Sequence, residues 1–446
     1  MDTIFKKMSY TRLIALSFLL VIFVGTILLT FPIASRNGRW TPVLDAMFTA
    51  TSATCVTGLV VYDTFQHWTL FGQLVILSLI QIGGIGFMTI ISLFAIFTKK
   101  RIGLRERKIL MHSSGNMRIS GMIQLIRRIA GITCVCEGIG AILLSVAFVP
   151  EMGLVRGIYN GIFHSVSAFC NAGFDLMGRF ESYSSLTRYE TNYWVLLTIS
   201  ALIIVGGIGF AVWSDVLHYK RKFKEYSLHS KVAILTTLGL LLAGWLGYFI
   251  FEYKGNLAPL TMPQKALSSF FMSVTTRTAG FNAMDLNGLS SSGSLLTMVL
   301  MVIGGSPGST AGGMKTTTFA AMIFAVCAMS TGRRDINIFK RRLNKDLIKH
   351  AGVIMFVYVA AVLCSTMAIC AIEQTDIGSV LFETCSALGT AGLSQGLSGH
   401  AEPISKFILI ILMYGGRIGA LSLLLVFAEK NSEPPIKRPA ERMMIG

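Results

Sequence analysis

The chain has 446 residues, 53% of them apolar and only 14% charged, where soluble proteins carry about a quarter charged residues. That balance excludes a soluble multidomain protein and a disordered chain. The eight cysteines contain no CxxC pair, which excludes a disulfide scaffold. The formal net charge of +17 would suit nucleic acid or anionic lipid, and its placement along the chain decides between them.

A helix needs roughly 20 apolar residues to cross a bilayer core. Taken in chain order, apolar stretches of that length fall at 13–33, 68–97, 129–149, 193–213, 232–251, 295–329, 351–372 and 407–428, predicting eight spans. The first follows Lys6, Lys7 and Arg12 but is longer than a signal-peptide core, so it is read as a span. The stretches 1–12, 98–128, 218–231, 331–349 and 429–446 hold 28 Lys and Arg against 8 Asp and Glu, while the four other connections hold 9 against 12. By the positive-inside rule both termini and the basic loops are expected in the cytoplasm. The excess charge is then topology, and no nucleic-acid partner is expected.

Each of the other connections holds a short, moderately apolar segment ending in a glycine. The four read ATSATCVTGLV, SVSAFCNAGFD, SVTTRTAGFNA and CSALGTAGLSQ, and their glycines, Gly58, Gly173, Gly280 and Gly392, are separated by 115, 107 and 112 residues. Proline precedes or opens two of the segments, Pro42 and Pro263, as at helix starts. Segments of about 10 to 12 residues are too short to span and are expected to be re-entrant. A second marker recurs 23 to 33 residues later as GGIGF at Gly83 and Gly206, GGSPG at Gly304 and GGRIG at Gly415. These doublets read as packing surface between helices.

The expected fold is an all-α polytopic membrane protein. Four parallel helix, re-entrant half-helix, helix repeats surround a pseudo-fourfold pore, with eight spans and four half-helices. The boundaries are 1–100 for repeat 1, 101–128 for a cytoplasmic loop, 129–220 for repeat 2, 221–345 for repeat 3 and 346–446 for repeat 4 with a short tail. Irregular backbone at membrane depth is tolerated where it lines a wet cavity. Glycine lets the preceding carbonyls turn toward an axis, where together they replace a cation's hydration shell. The candidate ion ligands are Val56, Thr57 and Gly58; Asn171, Ala172 and Gly173; Thr278, Ala279 and Gly280; and Thr390, Ala391 and Gly392. A lone glycine of this kind would more often serve packing, but four at a quarter-chain period favour a pore.

The expected gate is the break at 304–317 in the second span of repeat 3, where five glycines and a proline cannot continue a helix. Its residues are Gly304, Gly305, Ser306, Pro307, Gly308, Ser309, Thr310, Gly312, Gly313 and Lys315, with Arg417 from repeat 4 expected to control the pore or clamp the loop. Lys315 faces the pore or snorkels to the interface. The same run misses a phosphate-binding loop because Met314 precedes Lys315. Glu137, near no repeat marker, reads as a paired structural carboxylate. The seven histidines show no metal-binding spacing, no catalytic constellation appears, and no enzyme activity is expected.

The four glycine turns together, TATSATCVTGL, TRTAGF and the GGSPGSTAGGMKT break, resemble the Trk/Ktr/HKT superfamily of potassium transporters over essentially the whole chain, in particular the membrane subunit of a bacterial Ktr system. The resemblance implies potassium uptake across the bacterial plasma membrane through a gated pore. It further implies a homodimer with one pore per subunit and a ring of cytosolic RCK-type regulatory subunits that hold the nucleotide. This chain binds no cofactor of its own; K⁺ is its transported ion, with activation by Na⁺ a further expectation, and membrane lipid surrounds it. Glycine at all four positions implies potassium preference, while Cys55, Cys170, Asn171 and Arg277 beside the turns lower the symmetry of the site. The competing readings are an alternating-access Na⁺/K⁺ or H⁺/K⁺ transporter, disfavoured by parallel repeats, and a non-transporting membrane scaffold.

Overall fold

The computed structural model describes residues 10–86, 122–333 and 335–419. The remainders of the stretches at 68–97 and 407–428, most of the loop expected at 101–128, and both chain ends lie outside the described residues.

Four long helices meet the length and apolarity of a membrane span: α1 (Tyr10–Thr30), α4 (Met122–Met152), α8 (Leu228–Phe251) and α12 (Lys345–Glu373). They coincide with the first expected span of each repeat. Each leads to a shorter helix: α2 (Val43–Thr54), α5 (Leu154–Phe169), α9 (Met262–Thr275) and α13 (Ile377–Gly389). Local chemistry starts these short helices where the sequence expects it. Pro42 caps α2, Thr261 and Gln264 form a capping box around Pro263 in α9, and Asp376 accepts the Gly378 amide ahead of α13.

The second helix of each repeat is α3 (Leu70–Ile85), α6 (Tyr193–Gly207) continued by α7 (Phe210–Tyr219), α10 (Ser291–Val302) continued by α11 (Thr316–Ser330), and α14 (Pro403–Ile418). Here the expectation of uninterrupted spans is corrected. The segment 193–213 is not one helix: α6 and α7 meet at a 96° bend, and Gly209 between them has φ +101°. Gly86, Gly308 and Gly419 occupy the corresponding places with φ of +91°, +66° and +93°, a region costly for any residue with a Cβ. The second span is thus broken in repeat 2 as well as in repeat 3, and in repeats 1 and 4 the described helix ends at such a glycine. Among the described residues, four single helices reach span length, or five if the bent pair counts as one, against the eight expected. A two-residue hairpin, Asn337–Ile338 with Arg341–Arg342, is a small departure from an all-α chain.

Polarity is inverted relative to a soluble core. Large apolar side chains on the long helices are exposed, among them Phe23, Ile142, Leu246 and Phe356 at 63%, 67%, 55% and 75%. The Ser- and Thr-rich short helices are buried, as with Thr51, Ser52, Ser167, Ser273, Thr384 and Ser386. The second helices reach this polar centre through their glycine doublets. A Cβ on Gly83 would collide with the Thr54 carbonyl, one on Gly206 with that of Phe169, and one on Gly416 with that of Leu388. The doublets are therefore packing surfaces, as expected: those of repeats 1, 2 and 4 seat on the C-terminal ends of short helices, while Gly304 packs against Gly312 of its own loop.

A buried ion pair joins the first repeat to the last. Lys406 Nζ on α14 lies 2.8 Å from Asp45 Oδ1 on α2, and the Tyr62 hydroxyl donates to Asp45 Oδ2 at 2.6 Å. Removing one partner of a buried pair leaves an uncompensated charge. Lys406→Met is expected to destabilise the protein by about 2 kcal/mol, since Tyr62 still supports the carboxylate, and to lower Tm in detergent by about 2 °C or more. The double change with Asp45→Asn should recover part of that loss; an unchanged Tm in the single variant would show that the pair does not brace the two repeats.

Candidate functional site

The ends of the four short helices converge on one place. A Cβ built on Gly58 would lie 2.5 Å from the Ala172 carbonyl oxygen and 3.2 Å from Gly173 Cα. One on Gly173 would lie 2.8 Å from Ala279 O and 2.8 Å from Gly280 Cα; one on Gly280, 2.8 Å from Ala391 O and 3.3 Å from Gly392 Cα. One on Gly392 would strike Thr57 O and lie 3.0 Å from Gly58 Cα. The contacts run from repeat 1 to 2 to 3 to 4 and back to 1, a closed ring. All twelve residues predicted from sequence lie in its four segments.

The backbone repeats as well. Val56, Asn171, Thr278 and Thr390 have φ of +57°, +59°, +68° and +51°, and the glycines two positions later have φ of +98°, +70°, +83° and +84°. The residue between them, Thr57, Ala172, Ala279 or Ala391, has negative φ. In an extended strand successive carbonyls point to opposite sides; alternating the sign of φ turns successive peptide planes so that they share a side. Positive φ is strained for a β-branched residue, and Val56, Thr278 and Thr390 carry that strain.

Hydrogen bonding holds the strain and leaves the oxygens free. Each segment's amides return to its own helix: Thr57 N to Ser52 O at 2.8 Å, Ala172 N to Ser167 O at 2.8 Å, Ala279 N to Thr275 O at 2.9 Å, and Ala391 N to Ser386 O at 2.8 Å. Among the described residues, none of the carbonyls of Val56, Thr57, Asn171, Ala172, Thr278, Ala279, Thr390 or Ala391 accepts a hydrogen bond from the protein. The hydroxyls of Thr57, Thr278 and Thr390 are buried and likewise lack a protein partner. Buried polar groups are normally satisfied, so the ring presents oxygens suited to a cation or to water.

On one side of the ring lies a recess of about 520 Å³, bounded by the four glycines and lined by Asp63, Asp175, Glu181 and Asp285, with no Lys or Arg in its lining. The loop after α5 overhangs it. Tyr183 donates its amide to Asp63 Oδ2 at 2.9 Å and its hydroxyl to Val61 O at 3.0 Å, and Ser185 Oγ accepts the Asn282 amide at 3.2 Å. Burial, with neighbouring Asp63 adding to the effect, pushes the Asp175 carboxyl up to about 7 against the opposing Met177 amide. Sequence reading missed these carboxylates, because they are scattered over more than 200 positions and only a weak excess of acid in their loops hints at them.

On the other side lies the 304–317 loop, tied directly to repeats 2 and 4 and through Arg417 to repeat 1. Gly304 N donates to Met314 O at 2.8 Å, Ser306 N to Gly207 O at 3.0 Å, and Thr310 Oγ1 to Phe169 O at 3.0 Å. Gly313 packs against Gly389 O, 2.8 Å from where its Cβ would be. Arg417 donates to Thr310 O and Gly83 O, and to Gly84 O at 3.2 Å. Ser306, Thr310 and Ala311 are fully or almost fully buried, so this loop is fastened in place, although its composition alone reads as flexible. Lys315 Nζ bonds the loop's own carbonyls, Ala311 O at 2.8 Å and Gly312 O at 3.4 Å.

Glu137 is also corrected. It is paired, as expected, but to the repeat markers: Gln81 Nε2 donates to it at 3.1 Å, two positions before Gly83, and Cys170 Sγ lies 3.9 Å away, beside Asn171. Its partners come from α3 and the end of α5, which sequence spacing could not reveal. The expected non-match to a phosphate-binding loop is consistent with helix α10, rather than a strand, preceding Gly304.

If Arg417 fastens the loop, Arg417→Gln removes charge-assisted bonds worth about 1.5–3 kcal/mol. Hydrogen exchange at the Ser306, Thr310 and Thr316 amides, which bond Gly207, Gly206 and Gly305, should then speed up by roughly tenfold or more. Unchanged exchange would mean the loop is held without Arg417.

Comparison with known proteins places this arrangement. The TrkH model, described as a cation transport protein, matches residues 5–435. The chain is 42% identical to the potassium/sodium uptake protein NtpJ of Enterococcus hirae, over 99% of this chain and 98% of that one. It is 38% identical to the Ktr system potassium uptake protein B of Bacillus subtilis, over 100% and 99%. The crystal structure of the potassium transporter TrkH from Vibrio parahaemolyticus superposes with a TM-score of 0.71 at 17% identity, covering 92% of this chain and 84% of that one, a likeness of fold. The chain belongs to the TrkH cation transport protein family.

Proposed function

We propose that this chain takes up potassium across the cell membrane, with the four-glycine ring as selectivity filter and the 304–317 loop as gate. The single observation that carries the reading is the closed ring of alternating backbone with eight unengaged carbonyls. Full-length similarity to proteins named for potassium uptake supports the ion. It performs no chemical transformation; family members are transporters rather than enzymes.

In this reading the ring's oxygens stand in for the hydration shell of K⁺. The short helices α2, α5, α9 and α13 end at the ring, so their negative dipole ends favour a cation there. The acidic recess faces outside and raises the local cation concentration, and the basic loops face the cytoplasm with both termini. Arg417 and the plug describe a closed state: a positive charge and a buried loop block the path below the filter. Opening requires breaking the loop's bonds to Gly206, Gly207 and Arg417. Four parallel units around one axis favour a gated pore over alternating access, which more often uses inverted repeats.

The energy to move the plug comes, in our reading, from another chain. Relatives are named as the B and D proteins of a Ktr system, wording that points to further components. A ring of cytosolic nucleotide-binding subunits against the basic loops of a homodimer fits that wording and the charge. One relative is named for both potassium and sodium, so sodium is the ion against which preference must be measured and a candidate activator.

The test is ⁸⁶Rb⁺ and ²²Na⁺ uptake into liposomes. The native chain should favour Rb⁺. Gly58→Ser, at φ +98° with its Cβ against Ala172 O, should reduce the Rb⁺ to Na⁺ ratio by about tenfold or more; an unchanged ratio would remove the filter assignment. Flux should also rise with external pH through about 7, by roughly two- to threefold at low ionic strength, because Asp175 is neutral below that value and anionic above it. The groups around it, Asp63, Glu181, Asp285, Tyr183 and His400, remain in Asp175→Asn, which should flatten the profile between pH 6 and 8. A profile that survives the substitution would assign the effect to another group.

A further inference from the structure

Two residues flanking the ring touch the loop beneath it. Asn171 Oδ1, in the second segment, lies 3.5 Å from Thr310 Oγ1. Arg277, next to Thr278 in the third, donates from Nη2 to Gly304 O at 3.3 Å. Both also line one small cavity of about 20 Å³, together with Thr237 on α8 and the backbone glycines Gly207 and Gly305.

The polar accounting of this cavity is incomplete. Arg277 is 7% exposed and Thr237 5%, yet Arg277 Nε and Thr237 Oγ1 have no protein hydrogen-bond partner among the described residues. Arg277 also has no carboxylate within ion-pair distance among them. A buried donor left unmade is costly, and a guanidinium more so. A water molecule needs about 10–15 Å³ and two to four polar partners, which this cavity supplies. A hydroxyl can both donate to and accept from such a water, while Nε only donates, so one water bridges the two without conflict.

We propose that this cavity is a water-binding site that couples the gate loop to the filter. Arg277 and Thr237 hold a water between them, and through it and the Gly304 carbonyl the third ring segment is fastened to the loop, while Asn171 fastens the second through Thr310. Arg277 is a positioning residue: it touches the loop's backbone and sets how the strained Thr278 turn is held. Loss of the loop's bonds on opening removes the Gly304 contact and releases two of the four segments, so selectivity and opening share this cavity. The inference rests on the filter and gate reading above.

The test compares ⁸⁶Rb⁺ and ²²Na⁺ flux through liposomes holding the native chain, Thr237→Ser, Thr237→Val, Thr310→Val and the double Thr237→Val/Thr310→Val, each checked as monodisperse. Thr237→Val, which removes the hydroxyl, should change the Rb⁺ to Na⁺ ratio by about threefold or more, and Thr237→Ser should stay within about twofold of native. The double variant should change it by no more than the larger single, since coupled sites are non-additive. Additive effects, equal effects of Ser and Val, or no effect of Val would overturn the coupling. If Thr237→Val does not fold, Arg277→Lys, which keeps the charge and loses Nε, should shift the ratio in the same direction, and an unshifted ratio overturns the proposal. Failure of the underlying reading looks different: the native chain would then show no Rb⁺ preference, or none that Gly58→Ser removes.

Discussion

The structure depends on one steric constraint: four backbone segments approach so closely that each glycine's missing Cβ is the space its neighbour's carbonyl occupies. Any side chain at Gly58, Gly173, Gly280 or Gly392 would meet a carbonyl or Cα of the next repeat. That constraint demands short helices that stop on time, positive φ at Val56, Asn171, Thr278 and Thr390, and amides that fold back to their own helices. It also explains the glycine doublets of repeats 1, 2 and 4, which let the second helices seat on the ends of short ones. The ring is therefore a property of the whole bundle.

A second consequence is the inversion of polarity. Hydroxyl-bearing side chains cost less at the centre of an apolar protein if they face a wet path or each other. Ser and Thr fill the short helices for that reason, while Phe and Leu on the long helices face lipid. The 304–317 loop beneath the ring follows the same rule: its polar groups are matched to Gly206, Gly207, Phe169 and Arg417. Ordering such a loop costs conformational freedom, which these bonds offset.

Much of this was legible in the chain. The quarter-length spacing of the four glycines located the ring, and Pro42 and Pro263 located helix starts, because these signals are local. The break at 304–317 was legible for the same reason. The bend at Gly209 was not, since one glycine in an apolar run reads as packing until its φ is known. The loop's fastening was hidden because its partners, Gly206 and Arg417, lie about 100 residues away on either side. The vestibule carboxylates and the Glu137 pairing to Gln81 were hidden likewise, being contacts between repeats that no spacing within a repeat encodes.

The most direct test is to locate the ion. Crystals or frozen grids of the protein in Tl⁺ or Rb⁺ should show a strong scatterer on the axis of the ring, within coordinating distance of the carbonyls of Thr57, Ala172, Ala279 and Ala391, and weaker when Na⁺ replaces it. A well-ordered ring with no ion there in saturating Tl⁺, or with the ion bound only elsewhere, would contradict the account.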